Sequence, residues 1–293
     1  MQRITPNLWF NRTAAEAGDL YASVFPNASS DITMRYPTEG LPDFQRDLAG
    51  EPLVVDVTIG DSMLRLINAG DEFRPNPSLS LIVSVDPSSF GDDEDAARSA
   101  LDAMFSALSD SGEVRMPLGE YPFSARYGWV EDRFGVSWQL MLVDPSAGPP
   151  PSVVPQLLFT GSTPRAREAI DLYTNLFQDA AVGTLVPAPD TDAVMFAEFT
   201  LAGQRFSAMD GGTDHAFTFT PGVSLEVACD DQAEIDRLWD ALSAVPEAEQ
   251  CGCLVDRFGV SWQIVPSAMD ELLTRPDAYR HMLSMKKIVI ADL

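Results

Sequence analysis

Apolar and polar positions follow one succession of patterns along this chain, and the succession is written twice. "ITPNLWF" (4–10) matches "VVPQLLF" (153–159), and both read as strands. Helical spacing follows in each copy. Ala17, Leu20, Tyr21, Val24 and Phe25 fall at i, i+3, i+4, i+7 and i+8, and Ala169, Leu172, Tyr173, Leu176 and Phe177 repeat those intervals 152 residues later. Helices are predicted over 13–25 and 163–177, the first opened by a Thr13/Glu16 capping box and the second by Thr163 with Pro164 at its first position. Alternating strand pairs come next at 53–67 and 195–209, then strands at 80–86 and 224–230. A second helix carries Leu101, Met104, Phe105 and Leu108 in one copy and Ile235, Leu238, Trp239 and Leu242 in the other.

Each copy closes on "DRFGVSWQ", at 132–139 and without substitution at 256–263. The Asp and Gly of "DRFG" are turn chemistry, the Asp capping local amides and the Gly taking positive φ, so a strand starts there. Alternation puts Val136, Trp138 and Leu140 on one face and Ser137, Gln139 and Met141 on the other, with Val260, Trp262 and Ile264 against Ser261, Gln263 and Val265 in the second copy. The aromatic face is expected to pack under a helix, and Trp9, Trp138, Trp239 and Trp262 are all expected in the core. Shrinking offsets between copies imply that loops were trimmed while elements were kept, notably in "EVRMPLGEYPFSARY" (113–127).

Two βαβββ units per half follow, and an α+β class. The expected division is a first domain over 1–146, a proline-rich linker over 147–155 and a second domain over 156–293, the last carrying a tail that adds a helix and a strand. Whether each sheet closes within one half or by exchange between halves is open at this level, and so is a homodimer.

Composition narrows the function classes. With 19 Lys and Arg against 44 Asp and Glu, the formal charge of -25 repels phosphate backbones and anionic headgroups, which sets nucleic acid and membranes aside as partners. No stretch approaches the length of a membrane span, and the N-terminus lacks a signal peptide's apolar region, so a cytoplasmic location is expected. Cys229, Cys251 and Cys253 cannot make a disulfide framework, and "CGC" at 251–253 has the wrong spacing for a zinc knuckle, which makes structural thiols the expectation. Phosphate-loop, dinucleotide, nucleophile-elbow and H-E-x-x-H motifs are missing.

The shared frame of "P-x-L-x-F", the "DLY" helix, "E/D-x-T-x-G", "S-L-x-V" and "DRFGVSWQ" resembles the vicinal oxygen chelate superfamily of glyoxalase I, extradiol dioxygenases and bleomycin-resistance proteins. The segments "QCGCLVDRFGVSWQIVP" and "HMLSMKKIVIADL" look most like its PhnB-like branch, and the resemblance covers nearly the whole chain. It implies tandem glyoxalase-like domains, in which paired units curl a mixed sheet into a cup with ligands on the concave face. It also implies a divalent metal held by four strands. Mapped by motif, those positions are Asn7, Asp56, Ser80 and Gln139 in the first half and Gln156, Glu198, Ser224 and Gln263 in the second. Neither set holds a histidine, since His215 and His281 fall in a loop and in the tail, and one carboxylate per set holds Zn²⁺, Fe²⁺, Mg²⁺ or Ca²⁺ poorly. No cofactor is therefore predicted, and a divalent ion, were one held, would fall to Asp56, Gln139, Glu198 and Gln263. The branch is often labelled a 3-demethylubiquinone methyltransferase, but the glycine-rich loop expected of a methyltransferase is missing. Three readings stand: a small-molecule binding protein of the resistance type, a metal-dependent lyase, isomerase or dioxygenase, and a structural module whose cups are filled by side chains.

Overall fold

The computed structural model describes residues 2–144 and 150–293, so 147–149 of the expected linker lie outside the described residues. The first unit runs β1 (Ile4–Asn11), α1 (Ala14–Val24), β2 (Ala28–Arg35), β3 (Pro52–Ile59) and β4 (Ser62–Ala69). The second runs β5 (Leu79–Val85), α2 (Glu94–Ser109), β6 (Glu113–Tyr121), β7 (Ser124–Glu131) and β8 (Ser137–Leu142). The second half repeats this with β9 (Val153–Thr160), α3 (Ala166–Leu176), β10 (Ala181–Pro187), β11 (Val194–Leu201) and β12 (Gln204–Gly212), then β13 (Val223–Cys229), α4 (Gln232–Leu242), β14 (Cys253–Val255) and β15 (Ser261–Pro266).

These strands form a seven-stranded sheet in the order β14-β15-β13-β1-β4-β3-β2 and an eight-stranded sheet in the order β10-β11-β12-β9-β5-β8-β7-β6. Each sheet therefore joins the first unit of one half to the second unit of the other. The seams are antiparallel ladders, Asn7 opposite Ser224 in one and Ser80 opposite Gln156 in the other. Exchange between halves is the answer to the pairing that the sequence leaves open, and both cups are completed within one chain.

The helices cover one face of each sheet. Trp138 and Trp262 are fully buried there, as alternation predicts, and Val136, Leu140, Val260 and Ile264 join them in a core continuous through the molecule. Large side chains removed this completely from water stabilise the fold by about 1.5–3 kcal/mol each.

The octapeptide does more than start a strand. Asp132 Oδ1 accepts the backbone N–H groups of Phe134 and Val136 at 2.8 and 3.0 Å, and its Oδ2 accepts Tyr21 O–H at 2.7 Å and Trp138 Nε1–H at 2.9 Å. Asp256 repeats all four bonds with Phe258, Val260, Tyr173 and Trp262, at 2.9, 3.0, 2.6 and 2.9 Å. Gly135 and Gly259 take φ of 92° and 91°, the left-handed turn that the motif requires. Because α1 belongs to the seven-stranded sheet and Trp138 to the eight-stranded one, each carboxylate ties a helix of one sheet to a strand of the other. Burial pushes both carboxyls up, and the donors pull against it.

Four expectations are corrected. The Thr13/Glu16 capping box does not form, and neither Thr163 nor Pro164 opens α3. Instead Asn68 Oδ1 accepts Ala14 N–H at 2.8 Å, and Asp210 Oδ1 accepts the N–H groups of Arg165 and Ala166 at 2.7 and 3.0 Å, so a side chain from a distant strand satisfies each helix start. The edge strands β2 and β10 give little sequence signal, since most of their residues face water. In the fourth unit an element and not only a loop is shortened: the hairpin β6–β7 has as its counterpart only the three residues of β14. The tail adds helices α5 (Met269–Leu272) and α6 (Ala278–Ser284) and no strand among the described residues.

Replacing Tyr21 by Phe is expected to cost about 1–2 kcal/mol, and Asp132 by Ala more, because the latter leaves a phenol, an indole N–H and two backbone amides without an acceptor. Urea unfolding monitored by Trp fluorescence measures both. Residues 2–144 and 150–293 produced as separate chains in one cell should co-purify as a 1:1 complex by light scattering, since both seams are backbone ladders between halves.

Candidate functional site

The face of each sheet turned away from the helices carries one row of polar side chains at matching positions. In the seven-stranded sheet the register sets Asp56 opposite Arg65, Arg65 opposite Asn7, Asn7 opposite Ser224 and Ser224 opposite Ser261, with Glu226 opposite Gln263 one step along. Arg65 occupies the centre of this row. Its guanidinium meets Asp56 through Nε and Nη2 at 2.9 and 3.0 Å, Glu226 through Nη1 at 3.0 Å, and Asp270 of α5 through Nη2 at 3.2 Å. Asn7 Nδ2 donates to Glu226 at 3.0 Å and Gln263 Nε2 to Ser224 Oγ at 2.9 Å. Burial opposes the Arg65 charge, but the bonds to Asp56 and the surrounding carboxylates outweigh it and hold the pKa above its ordinary value. Burial likewise pushes the Glu226 carboxyl up, while Arg65 and Asn7 pull it down.

In the eight-stranded sheet the corresponding row is Glu198, Ser207, Gln156 and Ser80. Beside it the Tyr127 hydroxyl donates to Gln139 Oε1 at 2.7 Å, which turns the Gln139 amide nitrogen toward Gln156 Oε1, to which it donates. That orientation leaves the Gln156 amide nitrogen as an unused donor among the described residues. Burial raises the Tyr127 phenol, so it stays protonated as this chain of bonds requires. Ser137 Oγ bonds Ser80 Oγ at 3.1 Å and accepts Trp129 Nε1–H at 2.8 Å. Ser207 is 1% exposed and its hydroxyl has no hydrogen-bond partner, and Glu198, half-buried opposite it, has no ion-pair or hydrogen-bond partner among the described residues.

All eight residues singled out by sequence lie on these two faces, but not in the groups expected. Asn7, Asp56, Ser224 and Gln263 share the seven-stranded cup, and Ser80, Gln139, Gln156 and Glu198 share the eight-stranded one, because the sheets exchange units between halves. Glu198 and Gln263, one pair considered for a metal, therefore sit in different sheets, as do Asp56 and Gln139. Arg65, Glu226, Ser207 and Tyr127 were missed. The signal was available in the comparison of copies, where "SMLRLI" sets Arg65 against Ser207 and "SLEV" sets Glu226 against Ile82 of "SLIV". Trp9, expected in the core, is half-buried on the same face as Asn7, with Nε1–H donated to Gly70 O at 2.9 Å.

The donor sets fit a divalent metal badly. Carboxylates of the first cup already surround a guanidinium, and the second offers one carboxylate among amides and hydroxyls. Among the described residues no group of three or more His, Cys, Asp and Glu side chains is placed to hold an ion. The thiols are structural in environment: burial pushes Cys229 and Cys253 up to about 12 and Cys251 to about 11.

Arg65→Ala should destabilise the protein by about 3–5 kcal/mol at pH 7, because it leaves buried carboxylates uncompensated. The sign with pH follows from Glu226. Its folded pKa lies above its unfolded one, so its favourable contribution is present at low pH and is lost as pH rises through the folded value; removing Arg65 moves that value higher. The loss measured by urea unfolding should therefore be smaller at pH 4.5 than at pH 7. The cysteines should alkylate with iodoacetamide at pH 8 about two orders of magnitude more slowly in the native protein than in urea, read by mass spectrometry.

The model of the family described as 3-demethylubiquinone-9 3-methyltransferase matches residues 2–141 and 151–265. Among solved structures, a PhnB protein from Bacillus cereus is 31% identical over 48% of this chain and 100% of its own, with a TM-score of 0.40. A protein from Pseudomonas aeruginosa is 22% identical over 48% of this chain and 98% of its own, with a TM-score of 0.39. Glyoxalase I from Zea mays is 11% identical yet covers 92% of this chain and 95% of its own with a TM-score of 0.53, a likeness of fold alone. No curated protein matches. The chain belongs to the PhnB-like family described as 3-demethylubiquinone-9 3-methyltransferase, and carries the family's unit twice in tandem on a glyoxalase-like fold.

Proposed function

We propose that the protein binds a small polar organic molecule in the cup of the eight-stranded sheet, without a tightly bound metal. The reading is carried by the contrast between the two cups. In the seven-stranded cup Asp56, Glu226 and the tail residue Asp270 are all paired with Arg65, which favours a structural role for that cup, although the Ser261 hydroxyl on its row is buried without a partner as well. In the eight-stranded cup the buried relay from Tyr127 through Gln139 to Gln156 orients an amide donor outward, beside the unpartnered Ser207 hydroxyl and the Glu198 carboxylate. Buried polar groups left unpaired cost stability unless a ligand satisfies them, so the set suits a ligand that offers complementary hydrogen bonds. Ile82 and Leu158 on the same face supply apolar contact. The family description names a methyl transfer, and this reading does not depend on one.

Two measurements test it. Elemental analysis of purified protein, with thermal shift in divalent ions and chelator, should find no stoichiometric metal and no shift; stoichiometric Ni, Zn, Fe or Mn lost in Glu198→Ala would instead support the glyoxalase-type enzyme. A thermal-shift screen of small polar metabolites should yield ligands whose effect disappears in Gln156→Leu and persists in Gln263→Leu. Ligands lost only in Gln263→Leu would place the site in the other cup.

A further inference from the structure

The two cups differ at one pair of positions in a way that identifies the ligand's charge. Asp56 opposite Arg65 and Arg65 opposite Asn7 in one sheet correspond, strand for strand, to Glu198 opposite Ser207 and Ser207 opposite Gln156 in the other. The carboxylate and the amide are kept, and the cation between them is replaced by a hydroxyl. We infer that the cup of the eight-stranded sheet takes a monovalent organic cation, a guanidinium or alkylammonium group, in the place that the Arg65 side chain fills in the seven-stranded sheet. This inference rests on the reading of that cup as a small-molecule site.

Several observations converge on it. The guanidinium of Arg65 shows the contacts that the row is built to make, two parallel hydrogen bonds to a carboxylate on the neighbouring strand. In the other sheet the equivalent carboxylate, Glu198, has no ion-pair partner among the described residues, since Arg205, on the same face of β12 two residues from Ser207, is exposed and makes no ion pair with it, and the Ser207 oxygen opposite it is buried with no partner. A hydroxyl oxygen and a carboxylate side by side accept hydrogen bonds from N–H donors. Ile82 stands where the seven-stranded cup has Glu226, so the row offers one carboxylate, too few to hold a divalent ion. Ile82, Val154 and Leu158 share the face and suit the alkyl part of such a ligand. The formal charge of -25 on the whole chain favours the approach of cations.

The probe is n-propylguanidine, in effect the excised side chain of Arg65, titrated calorimetrically into the whole protein with n-propylurea as the neutral isostere. The expected result is one site per chain, with n-propylurea at least about tenfold weaker, equivalent to about 1.4 kcal/mol. Glu198→Gln should weaken n-propylguanidine by at least about tenfold. Ser207→Arg, which builds the cation into the chain, should abolish binding while raising the melting temperature or leaving it unchanged. Equal affinity for the urea, undiminished binding in Glu198→Gln, or no binding of n-propylguanidine at all overturns the cation inference. The small-molecule reading is judged separately, since neutral or anionic ligands that stabilise the protein and are lost in Gln156→Leu would sustain it after the cation inference had failed. Both Glu198→Gln and Ser207→Arg are checked for native circular dichroism. If Ser207→Arg does not fold, the comparison of guanidine with urea and Glu198→Gln decides the matter.

Discussion

Everything in this architecture leans on a buried carboxylate with four donors. Asp132 and Asp256 each gather a phenol, an indole and two backbone amides, and the phenol comes from a helix whose own strands lie in the opposite sheet. A carboxylate withdrawn from water is tolerable only when its lone pairs are all used, which explains why the eight residues that build the turn, the indole and the strand recur intact. Edge-to-face contact of Tyr21 with Trp138 at 4.9 Å, and of Tyr173 with Trp262 at 5.2 Å, packs the same junction with apolar area. The polar tie sets the angle at which helix and strand meet, and the aromatic rings fill the space that angle leaves.

From that junction the exchange of units follows. Each half is held to itself across the helical layer by its own carboxylate, while its strands hydrogen-bond to those of the other half along two antiparallel seams. Neither half closes a sheet alone. The duplication thus yields two cups of matching frame, one of them a strand shorter, each assembled from both halves, and once both copies reside in one chain each cup can acquire its own chemistry. One has been closed internally by Arg65, Asp56 and Glu226 under a tail that the other lacks a described counterpart for. The other keeps a row of amides and hydroxyls with a single unpaired carboxylate.

Electrostatics separates the cups more sharply than shape does. A buried guanidinium among carboxylates is stable because each charge is the other's solvation, and the arrangement resembles a metal site in which the ion has become part of the polymer. Where Ser207 stands in place of Arg65, the same frame keeps its carboxylate and its amide without the guanidinium between them. That difference between two copies inside one molecule serves as an internal control for what the frame binds.

Repetition makes much of this legible in the sequence. The helices around Tyr21 and Tyr173, the strands around Gln139 and Gln263, and the inward indoles all follow from period and alternation, because those patterns record which face of an element meets the core. The glyoxalase-like frame was legible for the same reason, and alternation within each strand set the eight polar positions on the faces turned away from the helices. The helix starts were misread, since Asn68 and Asp210, far away in sequence, supply the acceptors that Thr13 and Thr163 do not. The grouping of the site residues was misread as well: periodicity within a strand states which way a side chain points, but only the pairing of strands across the chain states which side chains face one another. Local pattern determined the elements and their buried faces; tertiary structure alone decided that β1 joins β13 and β5 joins β9, and so brought Glu226 to Arg65 in one sheet and Ser80 to Gln156 in the other.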